Sequence, residues 1–295
     1  MSGLLLHLTA VERLAAHASQ LPAEFSKALA EDLEYARFGA ALPQLPWFDG
    51  LTKGVGAFVG KGEAPRFTEL LTKQQPVAFG LKAAELVANG ALVGTEAGLA
   101  FLAGYFAQVC VARATESITA RLIARHRKAK ETEAAARIRI EWAQSLLFMQ
   151  ELHGEVLVGT PAVRAKLHVR KASAAQGIGR GLYELIRVSS ADALSEVPSK
   201  EQMDRWLRGL YVFSLALGSP LGKLKIGTPD RAFYRGEGVD VWGAVEAGLE
   251  RSRQVIHVLG GMLRRGSFTA RAKAKVFALL PEGPPSVGLA QIQAA

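Results

Sequence analysis

Sixteen consecutive uncharged residues, Ala97 to Ala112, lie between Glu96 and Arg113 and constrain the fold more than any other feature of the chain. The stretch falls short of the roughly 20 predominantly apolar residues that a spanning helix needs, so no transmembrane segment is expected. A helix that is apolar all round has to be enclosed by other elements. The rest of the chain must therefore supply a shell around a central buried helix.

The patterning supplies that shell almost entirely as helix. Leu5, Leu8, Val11, Leu14 and Ala15 recur at three- and four-residue intervals and share one helical face. Pro22 opens a second periodic run from Phe25 to Phe38, which Pro43, Pro46, Asp49 and Gly50 break into a loop. Gly54 to Pro65 is glycine-rich and predicted to be irregular; Phe67 to Arg127 is again helical, with Asn89-Gly90 as the break. Lys128 to Ala136 leads into a helix through Arg137, Glu141, Leu146 and Met149. Thr160, before Pro161, and Ser199, before a run ending at Leu217, are expected N-caps. Gly218 to Asp240 reads as a long loop, Val241 to Arg265 as an amphipathic helix stopped by Gly266, and 281–295 as an extended or disordered tail. With no alternating strand set and no fixed-period repeat, the expectation is an all-α multi-helix bundle forming one domain over residues 1–280.

Composition narrows the class further. Hydrophobic residues make up 49% and charged residues 21% of the 295, far from the balance of a disordered chain. The single cysteine, Cys110, excludes an intramolecular disulfide and a four-cysteine zinc module, and it suits a reducing compartment. No basic residue precedes the short Leu4 to Leu6 run, so no secretory signal is expected and a cytoplasmic location is predicted. Lysine and arginine outnumber the acids by 36 to 27, a charge of +9 that permits attraction to anionic surfaces without identifying one.

Three landmarks carry chemistry. His7 lies in the first helix; the segment from Tyr35 to Pro46 includes Gly39-Ala40 and Pro43-Gln44; and Gly104-Tyr105 opens a segment through Gln108, Ala112 and Glu116. In this order they resemble the zinc-dependent phospholipase C family, an all-α fold also used by single-strand nucleases, over roughly Met1 to Val169. The resemblance implies a multi-zinc cage. An early histidine, a Gly-Ala-x-x-Pro-Asp turn, a Gly-Tyr-x-x-His helix with an aspartate four residues on, and a later His-x-x-x-Glu pair would activate water for phosphoester hydrolysis. Four-residue spacing serves such a cage because it stacks side chains on one helical face.

Carried over residue by residue, the resemblance keeps His7 and Glu141 and loses most of the rest. Gln44 stands at the aspartate of the turn, Gln108 at the histidine of the Gly-Tyr helix, and Ala112 at its aspartate; Glu116 and Arg137 stand at two further histidines, and Thr72 at another. Alanine has no donor, neutral amides are poor zinc ligands, and the Arg137 guanidinium repels a cation. The expectation is a non-catalytic protein without zinc that acts as a binding or interaction module, with a protein as partner. A reduced metal site of His7, Glu116 and Glu141, hydrolysing phosphoesters or phospholipids, is the enzyme alternative. Arg137 is predicted to pair with Glu116 and Glu141 in place of the metal, at a cost on removal of about 3–5 kcal/mol if the network is buried.

Remaining motifs carry less. Gly177-Ile178-Gly179-Arg180-Gly181 lacks the strand and the lysine of a phosphate loop and reads as a helix junction. His126, His153, His168 and His257 have no partner at ligand spacing. Arg121, Arg125, Arg127, Lys128 and Lys130, with a second group of Arg164, Lys166, Arg170 and Lys171, offer a surface for an anionic membrane or nucleic acid. Few aromatics interleave with them, which favours a solvated face.

Overall fold

In the computed structural model, which describes residues 3–51, 65–90, 94–155, 157–167, 178–220 and 229–281, the apolar stretch lies inside a single long helix. The described residues form twelve α-helices and one two-stranded hairpin. The helices are α1 (Leu4–Ala16), α2 (Ala23–Glu31), α3 (Leu33–Ala41), α4 (Arg66–Glu69), α5 (Pro76–Ala88), α6 (Thr95–His126), α7 (Glu133–His153), α8 (Pro161–Lys166), α9 (Arg180–Ala193), α10 (Lys200–Leu217), α11 (Val241–Arg264) and α12 (Ala270–Leu279). The protein is all-α in class.

Helix α6 is the axis. Every residue from Ala97 to Val111 is buried, and α1, α2, α3, α5, α7 and α11 pack around the helix. By length and composition α6 could cross a membrane; 78% of its most apolar window is buried inside the protein, where it makes the centre of the core. Buried apolar residues from Leu4 to Leu280 belong to one connected cluster.

The closest approach is between α3 and α6. A Cβ on Gly104 would collide with the Ala36 carbonyl and one on Gly39 with the Phe101 carbonyl, so both positions need a residue without a side chain. Tyr105, fully buried next to Gly104, donates its hydroxyl to the Pro76 carbonyl at 2.9 Å and so fixes the start of α5 against α6. Two of the sequence landmarks thus have packing roles.

Several local expectations need correction. The run from Phe25 to Phe38 is two helices, broken at Asp32, where the backbone leaves the helical region. The proline-rich segment after α3 is no loop but a buried 3₁₀ helix, Leu42–Phe48, a tight geometry in which Pro43 needs no donor and Leu42, Leu45 and Phe48 enter the core. Within the expected loop at 218–240, a 3₁₀ turn (Arg231–Phe233) and strands β1 (Arg235–Gly236) and β2 (Val239–Asp240) form a hairpin leading into α11. Thr160 precedes α8, but its hydroxyl donates to the Leu157 carbonyl instead of capping the helix. Ser199 does cap α10, in a reciprocal box with Gln202. Helix α12, started by Thr269, follows the Gly266 stop and had no sequence expectation. Most of Gly54 to Pro65, Gly177, His168, Arg170, Lys171 and residues 282–295 of the tail lie outside the described residues.

Candidate functional site

A cavity of about 200 Å³ opens where α1, the 3₁₀ helix, the end of α4, the middle of α6 and the first half of α7 meet. All eight positions singled out in the sequence, His7, Gln44, Thr72, Gln108, Ala112, Glu116, Arg137 and Glu141, line it. Residues more than 130 positions apart are brought to one place by α1, two regular stripes and two irregular turns.

The regular part follows from helical spacing. Gln108, Ala112 and Glu116 are four apart on α6, with Thr115 and Thr119 on the same side; Arg137, Glu141 and Gln144 repeat the arrangement on α7. Ala112, the smallest side chain of its stripe, leaves the space between the two helices. The irregular part is a π-helical turn, Leu70–Gln74, continuing α4, in which the Gln75 amide bonds the Leu70 carbonyl five residues back at 2.9 Å. This wider turn presents Thr72 and Lys73 to the cavity, beside Thr68 from α4, and such turns occur frequently at functional sites.

Arg137 dominates the electrostatics. Its guanidinium donates to both oxygens of Glu116 at 2.8 and 2.9 Å and to Glu141 at 3.3 Å. Burial works against its charge, but the Glu116 hydrogen bonds and charge, followed by those of Glu141, more than compensate and raise its pKa. All three side chains are half-buried, Arg137 and Glu116 at 31% exposure each. Water therefore screens the network, and removing Arg137 costs less than the about 3–5 kcal/mol of a fully buried one. The other cations at the cavity are also engaged: Arg113 donates to the Pro281 carbonyl, and Lys73 lies 3.8 Å from Glu69.

The remaining wall combines uncharged polar groups with the apolar Leu6 and Trp47. His7 is 4% exposed, and burial pushes its imidazole from 6.5 down to about 3, so it is neutral at ordinary pH. The Gln144 Oε1 accepts from the Thr119 hydroxyl at 3.2 Å. Among the buried side-chain atoms on cavity-lining residues that lack a protein partner are these five: His7 Nδ1, Gln44 Oε1, Thr68 Oγ1, Gln108 Oε1 and Gln144 Nε2. Leaving a buried polar atom unsatisfied costs about 1–3 kcal/mol. Five would together cost roughly as much as the 5–15 kcal/mol that separates a folded domain from its unfolded chain. Because they line an open cavity, these atoms can be met from outside the protein, by solvent or by a ligand.

The donor set does not fit a multi-zinc centre. Ala112 has no donor, Gln44, Gln108 and Thr72 are neutral, and Arg137 places a permanent positive charge among them while holding Glu116 and Glu141. Among the described residues no group of three or more His, Cys, Asp or Glu is placed to hold a metal ion.

Thr68, Thr119, Gln144 and Trp47 also line the cavity and were not singled out in the sequence. Extending each stripe by three residues, from Glu116 to Thr119 and from Glu141 to Gln144, would have found two of them; Trp47 on the 3₁₀ helix and Thr68 on the four-residue α4 left no spacing signal. The basic group Arg121, Arg125, Arg127, Lys128 and Lys130 is exposed at the far end of α6, away from the cavity lining, with Arg121 bonded to the Gly238 carbonyl. A second polar centre was also unforeseen. Glu12 on α1, with only 10% of its side chain exposed, lies 2.6 Å from Arg37, 2.9 Å from Lys166 and 3.2 Å from His153.

Comparison of the chain with protein-family models, with curated proteins and with solved structures finds no match.

Proposed function

We propose that this chain is a non-catalytic relative of the zinc-dependent phospholipase C fold, in which the position of the metal cage has become a cavity of mixed polar and apolar lining and the protein works as a binding module. The observation that carries this reading is convergence: eight positions, chosen by order of landmarks along the chain, come from separate elements and line one cavity. Support also comes from the character of the replacements. Where the resemblance implies metal-held carboxylates and histidines, Arg137 supplies the positive charge to Glu116 and Glu141 directly.

The test is metal content and hydrolysis on tag-free full-length protein. After equilibration with zinc and dialysis, elemental analysis should find well under one zinc per chain. Phosphatidylcholine vesicles and a chromogenic phosphodiester should remain intact. Near-stoichiometric zinc that disappears in His7→Ala, or hydrolysis abolished by a chelator, would sink the reading and favour the reduced site of His7, Glu116 and Glu141.

A further inference from the structure

We propose that the cavity binds a small uncharged polyhydroxylated ring, of the monosaccharide or cyclitol class. The proposal rests on reading this cavity as a binding site, whichever ancestry the fold has. Size sets the first limit. A volume of about 200 Å³ holds about six or seven waters at about 30 Å³ each, or one compact six-membered ring with its substituents.

Charge sets the second limit. Arg137 is held by Glu116 and Glu141, Lys73 lies beside Glu69, Arg113 is bonded to the Pro281 carbonyl, and His7 is a neutral imidazole. Apart from Lys73, whose 3.8 Å pairing with Glu69 is exposed, the charged side chains of the cavity wall are already paired, which disfavours an ionised ligand.

Hydrogen-bond chemistry selects among neutral ligands. The partnerless atoms include two acceptors, Gln44 Oε1 and Gln108 Oε1, one donor, Gln144 Nε2, and two groups that can act either way, His7 Nδ1 and Thr68 Oγ1. With the amides as oriented here, a carboxylate offers their oxygens only further acceptors, and an ammonium or a metal ion offers the Gln144 donor nothing to bond. A hydroxyl donates and accepts, so several hydroxyls on one ring satisfy the whole set whichever way the amides are turned. Trp47 and Leu6 on the same wall give the C–H faces of such a ring an apolar surface.

The experiment uses the full-length chain with myo-inositol, glucose, galactose, mannose and ribose, and with inorganic phosphate and zinc chloride as comparators. Binding is read by saturation-transfer NMR and by thermal shift. At least one of the five hydroxylated rings is expected to bind with millimolar or tighter Kd, and both Gln108→Leu and Ala112→Leu should weaken it at least tenfold. Gln144→Leu supplies a further variant should the larger residue at 112 prevent folding. Absence of binding by all five rings to folded protein would overturn the proposal. So would binding that none of the folded variants affects, or a response to phosphate alone. The failure of the wider reading is distinct: stoichiometric zinc uptake would sink the non-catalytic assignment, whereas a zinc-free protein that ignores every ring sinks only the ligand class.

Discussion

Breaking the Arg137–Glu116 pair should destabilise the protein by an amount that its geometry fixes between two limits. An exposed ion pair contributes about 0.2–1 kcal/mol, and a charged hydrogen bond out of water about 1.5–3 kcal/mol. Here the contact is two-pronged, at 2.8 and 2.9 Å, but each side chain is 31% exposed. A coupling energy of about 1–2 kcal/mol follows. It should be isolated by a double-mutant cycle of Arg137→Met and Glu116→Gln in urea unfolding followed by circular dichroism, since each single change also disturbs neighbours. Arg137→Met alone should cost about 0.3–0.5 kcal/mol more than the coupling, because its bond to Glu141 four residues on is lost as well. High salt should reduce the coupling by screening the exposed part. A cycle that closes to within about 0.3 kcal/mol would refute the reasoning, because two well-aligned charged bonds would then be contributing less than a typical surface pair.

Acidification should expose His7. Its folded value of about 3 lies below the ordinary 6.5, so between these values the unfolded chain takes up a proton that the folded one refuses. Stability from this residue is complete above pH 6.5 and falls as the pH drops toward 3; from pH 7 to 5 the loss should be about 2 kcal/mol, and His7→Gln should flatten that slope in urea midpoints. Cys110, buried and pushed up to about 12, should resist thiol reagents in the native protein and label only as it unfolds. Gly104→Ala should cost about 3 kcal/mol or prevent folding, measured by urea denaturation, because its new methyl meets the Ala36 backbone. Introducing donors at the cavity in one chain, with Gln44→Asp, Gln108→His, Ala112→Asp and Arg137→His, should raise bound zinc from near none to about one or more per chain by elemental analysis if the proposed family likeness holds; a refolded variant that still binds none would count against it.

The helices were legible where one physical signal sufficed. Sixteen uncharged residues had to be enclosed, and the four-residue stripes of α6 and α7 followed from helical geometry alone. Ser199 was readable because its partner Gln202 is three residues away. What failed was set by distant contacts or by unusual backbone. Pro43 and Pro46 read as breakers, yet the segment they occupy is held in a 3₁₀ helix because Leu42, Leu45 and Phe48 are buried in the core. The π turn at Leu70–Gln74 has no sequence signature, so Thr72 was placed without knowing how it arrives. Arg137 was identified correctly as the partner of two acids, but its exposure, and hence its energetic weight, depended on packing that spacing does not report.

The grouping at Glu12 implies an uneven response to mutation. One nearly dehydrated carboxylate faces Arg37 from α3, His153 from α7 and Lys166 from α8, so the first helix is fastened to three others at a single anion. Losing any one cation leaves the carboxylate with company. Losing the carboxylate leaves two permanent cations and an imidazole facing one another in a place with little water to separate them. The arrangement therefore has one indispensable member and three replaceable ones, and Glu12 is the position at which a single neutral substitution would loosen four helices together.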